Sequence, residues 1–505
     1  MKGKVYLVGA GPGDAGLITE KGLRLMREAD TVVYDRLVGL GILSQLRPDC
    51  RRIDVGKTAG RHPVPQEEIN RILLREAEAG RLVVRLKGGD PFLFGRGGEE
   101  LELLRQHGIP FEVVPGVASA LAVPAYGGIP VTHRELASSV HIITGHQKQD
   151  EPLRLDFPRL AGLAGTLVFL MGLAALEEIA GGLMGAGLAP DTPAAVIASG
   201  TTACQRQVRA PLGQLAARVR QAGLESPAVI VIGGTAALAE RFSWRESLPL
   251  AGLRVAVTRP RTVCSRLARR LEALGAEVLQ MPAIETRPIW PNQRLEAALA
   301  QLAQYQWLAF TSAAGVEAFL DGLWRLGGDL RALAGKRLAA IGPGTARALK
   351  ERFLRVDLIP EEYDSLHLAQ GLIQRMQPGE RLLLPRASQG SPVLAETLGR
   401  AGVAFEEVPL YETLPAPAAP EPVTDCVRRG GIDWALFASA SSVRAFAGQL
   451  GGETPAGLRA LCIGAQTAAA AESAGMRVTV SPQATIDSMI DTLLLEVKKK
   501  EGDPR

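Results

Sequence analysis

The 505 residues contain only five cysteines, Cys50, Cys204, Cys264, Cys426 and Cys462. No two are close enough to make a CxxC pair, which excludes a zinc signature and a disulfide framework and fits a reducing compartment. Long hydrophobic runs are also missing, so no segment is expected to span a bilayer. The first residues read as a short strand and a glycine-rich turn rather than a signal peptide. A soluble, cytoplasmic protein without a membrane partner is expected. An excess of charge is lacking too. The net charge is +4 and no long basic run occurs, which argues against a dedicated nucleic-acid binder. The scattered basic residues still suit a substrate rich in carboxylates. Lys498, Lys499 and Lys500 read as a short solvated tail. His133 and His146 do not have metal-ligand spacing, and no metal is expected.

What is present is apolar and periodic. Hydrophobic residues make up 47% of the chain, enough for several cores, and at roughly 150 residues per domain the length suggests about three domains. Short Val- and Ile-rich runs recur at Val5–Val8, Thr31–Tyr34, Leu82–Leu86, Ile142–Thr144, Leu167–Leu170 and Val229–Ile232. They suit strands buried on both faces. Between them, stretches such as Glu67–Glu78 and Leu101–His107 carry apolar residues three and four apart. The fold class is α/β. A boundary is expected near Arg241–Leu250, before a fresh strand at Arg254. Pro415–Pro422, with four prolines, reads as an extended connector.

The second half repeats itself. Phe310-Thr311-Ser312-Ala313-Ala314-Gly315-Val316 resembles Phe437-Ala438-Ser439-Ala440-Ser441-Ser442-Val443. The pair Ile341–Ala346 and Ile463–Ala468 follows, then Asp364-Ser365 and Asp487-Ser488. Three landmarks in the same order imply two similar lobes with a cleft between them.

In the first half, Gly9-Ala10-Gly11-Pro12-Gly13-Asp14 follows a strand. The spacing is wrong for a dinucleotide loop, which needs glycine where Asp14 stands. Pro12 removes a backbone donor, and Asp14 would repel phosphate. A cationic ligand is acceptable. Polar or glycine residues follow other strands in the same way: Asp35, Gly56-Lys57, Lys87-Gly88-Gly89-Asp90 and Met171-Gly172. Ligands of α/β sheets sit at the carboxyl ends of strands, so these positions can share one site.

These motifs, with Tyr34-Asp35-Arg36-Leu37-Val38, Gln66–Asn70, Arg85–Glu99, Pro115–His133, Gly145-His146 and Pro193–Arg206, resemble the uroporphyrinogen-III C-methyltransferases over residues 3 to 240. The resemblance implies a two-lobed tetrapyrrole-methylase domain, about 1–242, that uses S-adenosylmethionine and releases S-adenosylhomocysteine. It places Pro12, Gly88, Gly89, Asp90, Leu93, Ala118, Ser119, Met171 and Gly200 around that cofactor. Asp90 can balance its positive charge. Asp35 matches a proton acceptor and Lys57 a proton donor; the alternative for both is substrate orientation. Arg36, Arg61, His133 and His146, with His62, Arg85, Arg96 and Arg134, can meet the substrate's carboxylates. Ala198-Ser199 and Ala118 depart from the family pattern and remove potential hydrogen bonds near the cofactor.

Residues 251–497 resemble uroporphyrinogen-III synthase, through Val257-Thr258-Arg259-Pro260, Thr311-Ser312, Ile341–Ala346, Leu384-Pro385-Arg386, Val408–Thr413 and Ile463–Ala468. The resemblance implies a two-lobed α/β domain, one lobe from about 252–288 plus 425–497 and the other from about 290–412. Tyr411 matches a tyrosine that assists loss of the substrate's hydroxyl. Thr311, Ser312, Ser439 and Thr467 can bind carboxylates or cap helices. Ala314 replaces the family's usual asparagine. The expected protein is a bifunctional enzyme of sirohaem or cobalamin synthesis: it closes hydroxymethylbilane to uroporphyrinogen III, inverting ring D, and methylates the product twice to precorrin-2. Its partners would be small tetrapyrroles, and a homodimer through the methyltransferase domain is expected. The alternatives are a methyltransferase for another corrinoid or for RNA, and a C-terminal domain that only senses tetrapyrroles.

Overall fold

The Val- and Ile-rich runs form strands in the computed structural model, which describes residues 2–56, 64–145, 153–258 and 261–501; all lie inside their sheets except Ile142–Thr144, which is in a half-buried edge strand and not buried on both faces. The first sheet contains β1 (Lys4–Gly9), β2 (Thr31–Tyr34), β3 (Arg51–Asp54), β4 (Leu82–Lys87) and β5 (Phe111–Val114), in the order β3-β2-β4-β1-β5. All its pairings are parallel. The second sheet contains β6 (Val140–Thr144), β7 (Thr166–Leu170), β8 (Pro193–Ala198), β9 (Arg206–Pro211) and β10 (Ala228–Ile232), in the order β6-β7-β10-β8-β9. It is mixed, because β10 runs antiparallel to both neighbours.

A third, parallel sheet takes strands from both ends of the second half. It contains β11 (Arg254–Val257), β12 (Glu277–Gln280), β18 (Trp434–Phe437), β19 (Arg459–Cys462) and β20 (Arg477–Val480), in the order β12-β11-β18-β19-β20. The fourth contains β13 (Ile284–Pro288), β14 (Trp307–Phe310), β15 (Arg337–Ala340), β16 (Arg381–Ala387) and β17 (Ala404–Pro415), in the order β13-β17-β16-β14-β15. The chain divides into two compact units, Met1–Ala283 with Pro417–Arg505, and Ile284–Ala416. The stretch up to residue 288, expected in the same lobe as Arg254, therefore divides at Ala283. Ile284–Pro288 pairs antiparallel with β17 and covers what would be its open edge.

Helix formation follows the apolar spacing. In Gln66–Glu78 the buried face is Ile69, Ile72, Leu73, Glu76 and Ala77, and Glu67 and Glu68 stand in the first turn, where the helix dipole favours them. The repeat in the second half is structural. Ser312 and Ser439 each cap the helix after β14 and β18, accepting from Gly315 N–H at 3.0 Å and from Ser442 N–H at 3.2 Å. Behind each cap an edge-to-face pair fills the core, Phe310 on Phe319 at 5.6 Å and Phe437 on Phe446 at 5.3 Å.

Within the larger unit the two halves of the sequence share one apolar core. Ile42, Leu43 and Leu46 belong to the same buried cluster as Leu279, Met281, Val423 and Val427. Ser44 Oγ accepts from the Gln280 N–H at 3.1 Å. No described helix is long and apolar enough to cross a membrane.

Candidate functional site

The loop after β1 and the turn after β4 pair with each other. Gly11 and Gly89 exchange backbone hydrogen bonds at 3.2 and 2.7 Å, and Ala10 N–H reaches Lys87 O at 2.7 Å. Gly116, after β5, joins them. A Cβ on Gly9 would lie 2.5 Å from Gly116 Cα and 2.7 Å from Gly89 O, so the three turns can close only on glycines. Gly89 also needs its φ of +69°. Gly88 and Gly200 answer to protein neighbours, since a Cβ would strike Leu37 at 2.6 Å and Val123 at 2.4 Å respectively. Pro12 sits half-buried in the first of these turns.

Asp90 organises the turn. One carboxylate oxygen accepts from the Phe92 and Leu93 amides at 2.8 and 3.2 Å, and the other from Gly116 N–H at 3.0 Å. Both Asp90 oxygens thus hold backbone amides, which fix the carboxylate in the turn while it keeps its negative charge. Leu93 packs against a core that includes Val123 and Leu170, next to Met171. Ala118 precedes the helix Ser119–Tyr126, which has no side-chain cap.

Backbone strain concentrates on the same loops. Six described non-glycine residues have positive φ, and five are Phe94, Arg96, Met171, Ser199 and Thr201. Such conformations persist where surrounding structure over-determines them, which is typical of ligand sites. Thr201 Oγ1 accepts from Asp14 N–H at 3.1 Å, and Tyr126 O–H donates to Asp14 at 2.7 Å, so the loop after β8 is tied to the glycine loop after β1.

Beneath the turns lies a buried charge cluster. Asp35 follows β2, takes the Leu37 N–H at 3.1 Å and faces the Arg85 guanidinium at 3.6 Å. Arg85 was expected to meet substrate carboxylates, but it is buried and its Nε donates to Glu100 at 3.1 Å. Lys87 Nζ donates to the same Glu100 oxygen at 2.8 Å, and Gln66 at 3.2 Å. Burial, and then the Arg85 charge, push the Lys87 ammonium below its usual range. The other Glu100 oxygen is buried with no hydrogen-bond partner among the described residues. Lys87 stood in the sequence among the polar residues that follow a strand, but Glu100 was not singled out and read as an ordinary charged residue near a helix start.

Arg36 is exposed beside Asp35. Arg96 turns to Glu99, at 2.8 and 2.6 Å. His133 opens a tight turn, exchanging backbone bonds with Ala137 at 2.9 Å and accepting from the Glu135 N–H on Nδ1 at 3.3 Å. Lys57, Arg61, His62 and His146 lie outside the described residues.

In the smaller unit Tyr411 is buried, and its phenol meets Ser312 Oγ at 2.8 Å. Tyr411 stands where the β16–β17 register shifts, beside Ala387. Thr311 is half-buried before the same cap. In the larger unit Ser439 lines an open depression with Ser441, Arg444, Gln466 and Ser473. Thr467 is buried in the first turn of the helix Ala465–Ser473. Arg444, in this depression, was not singled out from the sequence. The repeat itself marked it, since Arg444 occupies the place of Glu317 in the other copy.

Comparison with known proteins decides the family. Residues 4–216 match the tetrapyrrole (corrin/porphyrin) methylases, and residues 265–491 match uroporphyrinogen-III synthase HemD. Porphyrin biosynthesis protein HemD of Ruminiclostridium josui is 44% identical over 492 residues, covering 97% of this chain and 98% of that one. The chain belongs to the family that fuses a tetrapyrrole methylase to a uroporphyrinogen-III synthase. Siroheme synthase 2 of Yersinia enterocolitica is 52% identical over 246 residues, 49% of this chain and 51% of that one, so only about half of each is shared. A Thermus thermophilus uroporphyrin-III C-methyl transferase solved with S-adenyl homocysteine is 41% identical, covering 47% of this chain and all of that one, with a TM-score of 0.40.

The methylase half has a place that suits a donor such as S-adenosylmethionine. Three glycine turns closing on one another, an uncapped helix start and the strained Met171 offer backbone rather than side-chain charge. A separate cavity of about 250 Å³ lies between Asp14, Tyr126 and Thr201 of the methylase half and Glu272 and Glu277 of the synthase half. Its lining includes neither Asp35 nor Met171. Burial, and then the Asp14 charge, push the Glu272 carboxyl up.

Proposed function

We propose that the synthase half closes hydroxymethylbilane to uroporphyrinogen III with inversion of ring D, and that the methylase half converts this product to precorrin-2 by two methyl transfers from S-adenosylmethionine. The concentration of strained, non-glycine left-handed residues on the loops around Gly89 is the observation that supports a donor site there most strongly.

When bound, the donor supplies an electrophilic methyl group on a sulfonium sulfur. The positions from Pro12 to Gly200 named above would hold it, mostly through backbone groups and shape. The protein's task is then alignment, followed by the eventual loss of one proton from the cationic macrocycle that each methyl transfer leaves behind. Asp35 takes that proton; the Leu37 amide and Arg85 fix its carboxylate in place. Lys57 acts as the partner proton donor. Arg36, Arg61, His133 and His146 meet the substrate's carboxylates. S-adenosylhomocysteine would be the product of the donor.

In the synthase half the Tyr411 phenol donates toward the departing hydroxyl of the bilane, so that the C–O bond breaks with water as the leaving group. Ser312, hydrogen-bonded to that phenol, orients it. Thr311, Ser439 and Thr467 hold carboxylates. Pairing of two chains through the methylase half belongs to the same reading, with sedimentation velocity as its check.

A coupled assay from hydroxymethylbilane, with and without S-adenosylmethionine, tests both halves. Type III uroporphyrinogen without the donor and a dimethylated product with it are expected. Only the type I isomer would remove the synthase reading, and unmethylated type III would remove the methylase substrate.

A further inference from the structure

The loop that follows β8 is braced from outside the methylase half. Ser199 and Thr201 hold left-handed conformations around Gly200, which are sustained only by their surroundings. Part of that support is internal. Thr201 N–H donates to Gln205 Oε1 at 2.8 Å, and Thr202 Oγ1 donates to Ser199 O at 2.8 Å while accepting from Cys204 N–H at 3.1 Å.

Ser199 N–H also reaches Pro227 O at 2.8 Å and Arg245 donates to Thr202 O at 2.8 Å, and one further bond comes from the synthase half. Glu277, at the start of the edge strand β12, accepts the Ala203 N–H on Oε2 at 2.8 Å. Arg254 of the neighbouring β11 donates to the same oxygen at 3.0 Å. Both side chains are nearly buried, at 10% and 13% exposure, so a charge-assisted bond here is little weakened by water. Arg254 is held in turn by Gly431 O at 2.9 Å through Nη1 and by Asp433, which accepts its backbone N–H at 2.9 Å. Ala203 therefore hangs from a fixed point of the third sheet. Two residues earlier, Thr201 holds the amide of Asp14.

We propose that Glu277, fixed by Arg254, is a positioning residue for methyl-donor binding, so that the synthase lobe completes the donor site of the methylase half. The route runs from Glu277 through Ala203 to the Ser199–Thr201 turn and on to the glycine loop. This rests on the donor reading given above.

The test uses the full chain carrying Glu277→Ala or Glu277→Gln. Calorimetry reads S-adenosylhomocysteine affinity, steady-state kinetics read KM for S-adenosylmethionine against kcat, and synthase turnover reports the integrity of the second half. Removing one charge-assisted bond is expected to weaken S-adenosylhomocysteine binding about fivefold to tenfold and to raise KM by a similar factor. The kcat at saturating donor should stay within about twofold, as for lost uniform binding. Glu277→Gln keeps an acceptor for the Ala203 amide and should recover most of the affinity. Unchanged affinity in Glu277→Ala, no recovery in Glu277→Gln, or loss of donor affinity and synthase turnover together would each overturn the proposal. A wild-type chain that binds no S-adenosylhomocysteine would remove the donor reading itself, and the brace with it.

Discussion

Glu100→Gln is the sharpest probe of the charge cluster under the methylase turns. In the native chain one Glu100 oxygen takes bonds from Arg85, Lys87 and Gln66, at 3.1, 2.8 and 3.2 Å. The glutamine keeps the shape and one acceptor but removes the negative charge between two buried cations. Breaking a buried ion pair from one side costs about 3–5 kcal/mol, because the remaining charge is desolvated without compensation. Lys87 can escape by losing its proton, and burial already presses its pKa down. Losing Glu100 removes the interaction that opposes that pressure, so the folded-state pKa falls further. Over the window between the depressed folded value and the ordinary lysine value of about 10.4, the unfolded chain binds more protons than the folded one. Stability must therefore rise with pH across that window. The expected result is a loss of about 3–5 kcal/mol near neutral pH that shrinks on going toward pH 10. Urea unfolding of the first transition, followed at several pH values, measures it. Adding Lys87→Met to Glu100→Gln should recover part of the loss and flatten its pH dependence. A loss below about 1 kcal/mol, or one that does not change with pH, would refute the reasoning.

Three further outcomes are expected. Gly9→Ala puts a methyl 2.5 Å from Gly116 backbone atoms that cannot turn aside, and should cost about 1–3 kcal/mol in thermal unfolding together with S-adenosylhomocysteine binding by calorimetry. Met171→Gly relieves a φ of +57° and should leave stability equal or raise it by up to about 1 kcal/mol, while donor affinity falls as the side chain is lost. Tyr411→Phe deletes the bond to Ser312, at about 1 kcal/mol of stability; synthase turnover should drop while methylation of supplied uroporphyrinogen III continues, and equal turnover would remove Tyr411 from the synthase chemistry.

Much of the fold was legible because the signals are local. Runs such as Thr31–Tyr34 are mostly apolar, and all four residues are buried in the strand they form. The repeated Thr311-Ser312 and Ala438-Ser439 segments announced helix starts, since a serine side chain can satisfy an early helix amide. The glycine turns could be placed at one site, because strand ends of a parallel sheet meet on one edge. What stayed hidden depends on tertiary partners. The antiparallel course of β10 between β7 and β8, and the transfer of Ile284–Pro288 to the edge of the fourth sheet, depend on strand partners that no residue in those strands reveals. Asp90 looked like a group for a cationic ligand, and only the nearness of Gly116 shows where its second oxygen goes. Met171, Ser199 and Thr201 are not residues that favour left-handed backbone, so their conformations could not be read from their identities. Glu277 carries no motif at all; it gains its meaning from Ala203, 74 positions away.

The apolar core shared by Ile42, Leu43 and Leu46 with Leu279, Met281 and Val427 has a consequence for inheritance. Cutting the gene between the two sequence halves would yield two products that each expose apolar residues of this cluster. A lineage that no longer required one of the two reactions would still need that half as scaffold for the other. Natural selection on either proposed activity thus preserves the buried surface of both, and loss of a reaction should show first as erosion at the proposed catalytic positions Tyr411 or Asp35, with the contacting leucines and valines left intact.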